Sequence, residues 1–409
     1  MAQLAVHGGP RACEVEWPKW PVWDDRERSG LLGVLESGDW WYGAKVREFE
    51  ARFAEFQGAR YGVTATSGTT ALEAMLLAAG VGAGHEVIVP PVTFVATASA
   101  VLRVNAIPVF ADVEPDTWCL DPADVERKVT DKTRAVMPVH FAGYMADMDR
   151  LGAICSEHGL VLLEDAAHAW GSEWSGKGAG AIGVAGAFSF QHSKNITSAE
   201  GGIVLTDDAE FAGLVRSYTN CGRGKDTPWY QHFLLGSNLR LTEFQAVLLL
   251  AQLERLGEQT AIRAERAALL DEMLAPLPGV RLTRPEPRMT RRGHHLYTIT
   301  FDTDALGVTR DRLAEALKAE GVPVVPPYPH PLYQNPLFQR RGEGPGHCPL
   351  SCPYYGREMD YTKVSCPAAE RLLRDSVWLF HTVLLAPEAG VRQLAGAFEK
   401  VLGAVGSLR

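Results

Sequence analysis

Between residues 61 and 207, short apolar runs of strand length alternate with segments of helical period. "YGVTAT", "HEVIVPP", "AIPVFADV", "TRAVMPVHF" and "LVLLEDAA" read as strands, followed by "GAFSFQ" and "GGIVLTD". Among the intervening stretches, "TTALEAMLLAAGV" puts Leu72, Met75, Leu76 and Ala79 on one helical face. "TFVATASAVLRVN" (93–105) and "MADMDRLGAICSEHG" also have a helical pattern. Continuous apolar runs suit strands covered on both faces, and helices between them supply the crossovers that parallel strands need. The expected fold class is α/β, with a mostly parallel central sheet flanked by helices.

From residue 242 the pattern changes. "TEFQAVLLLAQLERL" opens with Thr242 and Gln245 at capping-box spacing, then lines Phe244, Val247, Leu248 and Ala251 along one face. The helical pattern continues to about 275 and is followed by "HHLYTITF", "TRDRLAEALKAEG" and a last helix, "GVRQLAGAFEKVLGAV". These predict a smaller C-terminal α/β domain. The expected division is 1–256 for the large domain, with its N-terminal arm, and 257–409 for the small one. Residues 326–366, rich in Pro, Tyr and Cys, read as a long loop.

Composition narrows the function. A net charge of −9 gives no reason to expect a nucleic-acid or anionic-membrane partner. No apolar run reaches the length of a membrane span, and the N-terminus lacks the basic and apolar regions of a signal peptide. Seven scattered cysteines fit reduced thiols in a cytoplasmic enzyme. His347, Cys348, Cys352 and Cys366 could supply zinc ligands, but "HCPLSC" has three residues between its cysteines and no second close pair follows. No metal site is expected. "GAGAIG" at 178–183 matches a dinucleotide-binding string, yet it precedes a strand where that motif must follow one.

Open α/β sheets bind ligands at the carboxyl ends of their strands. Three features fall there. In "TSGTTALE" (66–73) a strand passes through a Ser-Gly-Thr turn into a helix, whose free N–H groups suit a phosphate. Gly68 would let the backbone approach and Thr69 would add a hydroxyl; alternatively Thr70 and Glu73, at capping-box spacing, would satisfy two donors without a ligand. In "LVLLEDAAHAW" Asp165 stands at the strand end with His168 close behind, and would pair with a buried cation or simply cap the next segment. In "FSFQHSKNITSAEGG" a lone lysine, Lys194, follows an apolar strand. A lysine at a pocket floor loses part of its basicity and becomes a nucleophile towards carbonyls; a solvated loop lysine does not. Together a phosphate turn, a carboxylate and a lysine match the needs of pyridoxal 5'-phosphate. Phe94, at another strand end, would give the ring an aromatic face.

These segments, with "EVIVPPVTFVAT", "PVFADVEPDTWCLDP", "AVMPVHFAGYMADM", "LEDAAHAWGS" and "GSNLRLTEFQA", resemble the DegT/DnrJ/EryC1/StrS family of pyridoxal phosphate-dependent sugar aminotransferases. The resemblance runs from about residue 17 to the C-terminus and implies a fold-type-I transferase. It implies that Lys194 holds the cofactor, Asp165 pairs with its ring nitrogen, His168 lies near its phenolic oxygen and Phe94 stacks on it. Gly68, Thr69 and Ser189 would bind the phosphate. Asn238 would reach the phosphate of a second subunit, making the active form a homodimer with shared sites.

His168 and Gln191 depart from many family members. They look closer to two branches: glutamine-dependent aminotransferases of cyclitol ketones such as scyllo-inosose, and 3-amino-5-hydroxybenzoate synthases. "PPYPHPLYQNPLF" is similar to the first; "EDAAHAWGSEW" and "CGRGKD" are similar to the second. The expectation is transfer of an amino group from glutamine or glutamate to a cyclic ketone or keto-sugar, with the benzoate-type activity as the alternative. A lysine at 194 argues against the relatives that dehydrate sugars, which carry His there. A cofactor-binding regulator without activity is a further alternative, disfavoured because no basic appended module is present. Trp41, Tyr42, Arg223 and His295 are candidate substrate contacts, each with an ordinary packing role as its alternative; His381 is left unassigned.

Overall fold

The computed structural model describes residues 3–225, 227–339, 349–350 and 353–409. Among them a seven-stranded sheet contains β1 (Tyr61–Ala65), β2 (Glu86–Val89), β3 (Ile107–Phe110), β4 (Thr133–Val136), β5 (Val161–Asp165), β6 (Ala185–Ser189) and β7 (Gly202–Thr206). Their order in space is β1-β7-β6-β5-β4-β2-β3. β3, β2, β4, β5 and β6 pair in parallel, while β7 is antiparallel to both β6 and β1. The reversal has a simple cause. Residues 190–201 contain no helix, so the chain has no crossover and must return beside β6 in the opposite direction.

Register places the strand ends that matter side by side. Asp165 pairs with Ala187, while Gly202 of β7 pairs with Ser189 on one side and Ala65 on the other. The turn after β1 therefore stands next to the end of β6. That turn enters helix α1 (Gly68–Ala78). The cap differs from the spacing-based expectation: Ser67, not Thr70, is the N-cap, with Thr70 as its reciprocal partner. The next helix, α2 (Ala96–Arg103), is shorter than its periodicity suggested.

Helix α3 (Glu243–Leu274) joins two hydrophobic cores. Ala246, Leu249 and Leu250 pack into the core around the large sheet, and Ala267, Leu270 and Leu274 into a second one. The second core covers an antiparallel sheet of β8 (Val280–Arg281), β9 (Leu296–Phe301) and β10 (Ser376–Phe380), together with helix α4 (Glu388–Gly403). Core membership does not follow chain order strictly. Leu4 and Cys13 belong to the second core, whereas Tyr333, Phe338 and Tyr361 pack edge-on against Phe110 in the first. Part of the expected loop at 326–366 is thus anchored on β3, where the Tyr361 hydroxyl donates to the Pro108 carbonyl at 2.8 Å.

No helix among the described residues is long and apolar enough to cross a membrane. Nor do those residues contain a metal-binding cluster. Cys366 is a buried free thiol, and His347, Cys348 and Cys352 lie outside the described residues.

Candidate active site

The carboxyl ends of β1, β5 and β6 open on one cavity of about 740 Å³. Gly68, Thr69, Phe94, Asp165, His168, Ser189, Lys194 and His295 all line it. Asn238, Trp41, Tyr42 and Arg223 do not.

Asp165, the last residue of β5, is only 3% exposed. Its Oδ2 accepts from the Thr97 hydroxyl at 2.7 Å and its Oδ1 from the Ala167 N–H at 3.2 Å. Burial pushes this carboxyl above its ordinary range, while the two hydrogen bonds and the charge of Lys194 oppose the rise. Lys194 stands across from it, with Nζ 5.7 Å from the Trp170 ring centroid. Burial pushes its amine down to about 8, with Asp165 opposing the fall. A carboxylate held up and an amine held down is the combination expected of a site awaiting a charged, planar partner.

The phosphate turn is built by close packing. A Cβ on Gly68 would stand 2.6 Å from the Ser189 Cβ, so only glycine lets the first turn of α1 touch the end of β6. The Ser67 cap engages the N–H of Thr70, and the Thr70 hydroxyl engages the N–H of Ser67. The N–H groups of Gly68 and Thr69, at the first two helical positions, are left to an anion. Phe94 is 57% exposed on the cavity wall, an unusual position for an aromatic unless something covers it.

The His168 Nδ1 accepts from the Ala142 N–H at 3.4 Å, which assigns the ring hydrogen to Nε2. Burial first, and the Lys194 charge second, hold this ring well below its usual pKa, so it is a neutral donor. His295 lies 4.4 Å from it, centroid to centroid, and hydrogen-bonds through Nδ1 to Asn195 Oδ1 at 2.9 Å.

The remaining candidates lie elsewhere. Tyr42 is tied by its hydroxyl to Glu50 and Arg216. Trp41 packs under Arg240, whose Cζ is 5.0 Å from its ring, and Arg223 lies over Trp229 at 5.5 Å. Asn238 is exposed and bridges to Asn220, in a segment that also exposes Trp229, Tyr230, Phe233 and Leu235. "GAGAIG" has an internal role: the N–H groups of Gly180, Ile182 and Gly183, with the His140 Nε2, surround the fully buried Glu164 carboxylate.

Several residues in or next to the cavity escaped the sequence reading. Thr97 was detectable in principle, since it stands three residues beyond Phe94, but only the fold aims its hydroxyl at Asp165. Trp170 closes the strand-end motif of Asp165, where one aromatic among small residues is the only hint. Tyr328 and Trp378 form a wall of the cavity with Pro326 and Pro327, and no local pattern signals that.

The residues present fit pyridoxal phosphate. Asp165 is a buried carboxylate without a full cation partner, Lys194 is a depressed amine, and the start of α1 offers unclaimed N–H groups beside Ser189. The DegT/DnrJ/EryC1/StrS aminotransferase family model matches residues 22–361. The chain belongs to this family. It is a pyridoxal phosphate-dependent aminotransferase of fold type I. A 3-amino-5-hydroxybenzoate synthase from Amycolatopsis mediterranei is 40% identical over 91% of this chain and 94% of its own. An L-glutamine:scyllo-inosose aminotransferase from Streptomyces griseus is 40% identical over 98% of both chains. Among solved structures, a 3-amino-5-hydroxybenzoic acid synthase superposes with TM-score 0.84 at 38% identity, covering 95% of this chain and 99% of that one.

Proposed function

We propose that this aminotransferase moves an amino group from glutamine, or glutamate, to a cyclic polyhydroxy ketone of the scyllo-inosose type. The carrying observation is the end-to-end match, over 98% of both chains, with a relative named for that reaction. The cavity supports it. Among the described lining residues the charged side chains are Asp165, Lys194 and Glu200, and none of them is an arginine that would pair with a carboxylate on the acceptor. Its wall of Pro326, Pro327, Tyr328 and Trp378 offers flat apolar surface to one face of a saturated ring.

Lys194 would hold the cofactor covalently, Gly68, Thr69 and Ser189 its phosphate, and Phe94 one face of its ring. The cofactor supplies the carbonyl carbon that takes up the amino group and a ring that accepts electrons. Asp165 stays anionic and keeps a proton on the facing ring nitrogen. The Nε2–H of His168 would supply a neutral donor to the cofactor's phenolic oxygen. Once the donor's amine has displaced it from the cofactor, Lys194 Nζ, partly unprotonated near neutral pH because of its burial, would take the proton from the donor's α-carbon and later deliver one to the acceptor's carbon. We further propose a cytoplasmic homodimer in which Asn238 reaches the partner's phosphate site. The exposed aromatics around Asn238 support this, since a monomer rarely leaves such a cluster in water. On this reading residues 1–256 form the cofactor-binding unit with its arm, and 257–409 the small domain.

A second reading, a 3-amino-5-hydroxybenzoate synthase-type activity, is favoured by the relative and the solved structure of that name. A screen of amino donors against cyclic ketones and an aminodehydroshikimate-type substrate separates the two. Turnover of inosose-type ketones with glutamine supports the first reading. Turnover of the carboxylated ring alone would replace it.

A further inference from the structure

A set of side chains behind Lys194 has no part in the chemistry described above. Arg263, on α3, is fully buried. No carboxylate pairs with it among the described residues, its Nε and Nη1 have no hydrogen-bond partner, and burial pushes its pKa down to about 9. Its Nη2 donates to the His381 Nδ1 at 3.2 Å and to the Gln259 Oε1 at 3.3 Å, and its guanidinium lies 5.9 Å from the Trp20 ring. An unpaired buried cation is costly to keep, and a packing role would be served better by an apolar side chain.

What Arg263 does is fix a hydrogen. Guanidinium only donates, so the His381 Nδ1 must accept, and the ring's hydrogen sits on Nε2. That Nε2–H reaches the carbonyl of Ser193 at 3.2 Å. The carbonyl before it, on His192, accepts from the Trp20 indole N–H at 3.0 Å, and Trp20 meets His381 edge-on at 4.6 Å. Two successive carbonyls just ahead of Lys194 are therefore held from outside their loop, one by the N-terminal arm and one by the residue that follows β10. Within the loop, Gln191 Oε1 accepts from the Ser193 N–H at 2.9 Å, and the Gln191 carbonyl accepts from the Lys194 N–H at 2.9 Å. Beyond it, the Asn195 side chain bridges the Gly293 carbonyl and His295.

We propose that Arg263 and His381 are positioning residues for Lys194, acting through the Ser193 carbonyl. The small domain and the arm, more than the loop's own turn, then decide where the amine stands. This rests on the reading of Lys194 as the cofactor-bearing residue. Placement of this kind matters because small displacements of a reacting group cost large factors in rate.

The test uses the full-length protein with His381→Phe, His381→Gln and Arg263→Met. Gln offers one acceptor and one donor in place of the two ring nitrogens; Phe keeps the ring and loses both. Amide hydrogen exchange across 190–197 is read without added cofactor. The rate at which the visible band of lysine-bound pyridoxal phosphate forms is read separately, as are kcat and KM for glutamine. His381→Phe and Arg263→Met should speed exchange and slow band formation by about tenfold or more, and lower kcat with little change in KM. His381→Gln should return each to within about threefold of the parent. Parent-like exchange and band formation in His381→Phe would overturn the proposal. So would a Gln variant as impaired as Phe, because restoring an acceptor and a donor would then fail to restore the loop. Should Arg263→Met not fold, the His381 pair decides. If the unaltered protein never attaches the cofactor at Lys194, the site reading fails, while the exchange result still judges the clasp.

Discussion

Thr97→Val is the sharpest probe of the site, because it removes the hydroxyl that donates to Asp165, together with its 3.0 Å contact to the Thr93 hydroxyl, and keeps the side chain's shape. The Thr97 hydroxyl donates to Asp165 Oδ2 at 2.7 Å inside a buried region. A hydrogen bond to a charged group contributes roughly 1.5–3 kcal/mol. Losing it weakens the ionised carboxylate by that amount, which raises its pKa by about 1 to 2 pH units. The sign follows from the causes already acting: burial lifts Asp165 above its ordinary range and Thr97 pulls it back. Without Thr97 the carboxylate accepts a proton at higher pH, and its protonated form no longer holds a proton on the ring nitrogen. The acid limb of the kcat/KM profile should therefore move to higher pH. Near its foot, activity should fall by roughly one to two powers of ten, in proportion to the lost energy. Thr97→Ser, which keeps the hydroxyl, should stay near the parent. The assay is steady-state transamination from acid to neutral pH, with cofactor binding measured in parallel. A Thr97→Val enzyme with the parent's pH profile and cofactor affinity would refute the assigned role of Asp165.

Four other outcomes are expected. In the cofactor-free protein, pH-dependent amine labelling followed by peptide mass analysis should give Lys194 a half-maximal reactivity near the about 8 to which burial lowers it, below the range of surface lysines; Lys194→Ala should lose turnover and the visible band while keeping its melting temperature. Gly68→Ala places a Cβ 2.6 Å from the Ser189 Cβ, and overpacking of this kind costs about 1–3 kcal/mol, so cofactor titration should show an affinity loss of about tenfold or more. If Asn238 completes the neighbouring site, mixing Lys194→Ala with Asn238→Ala subunits should restore activity in one site of each hybrid dimer, and mixtures no better than their parents would count against a shared site.

Much of the fold was legible because strand and helix periods are local. The apolar runs that became β1 to β7 needed no tertiary information, and neither did Asp165 and Lys194 as strand-end residues. The parts that were not legible depend on packing between distant segments. The α1 cap fell on Ser67, with Thr70 as its partner, whereas the sequence showed capping-box spacing at Thr70 and Glu73. "GAGAIG" read as a failed nucleotide motif until Glu164 proved to occupy its N–H groups. Sequence could not assign the roles of Thr97, Trp170 and Arg263, since their partners lie 68, 24 and 118 residues away, at Asp165, Lys194 and His381.

Taken alone, the order of residues determined the α/β class through its periodicity and the family through its resemblance, and it marked the strand-end candidates, because these are short-range properties. Tertiary structure alone decided which groups face one another. The protonation bias of Asp165 and Lys194 comes from burial, the hydrogen on His168 from a distant backbone N–H, and the setting of the lysine loop from two separate parts of the chain. Each of these depends on distance and dielectric, and a linear sequence specifies neither until it folds.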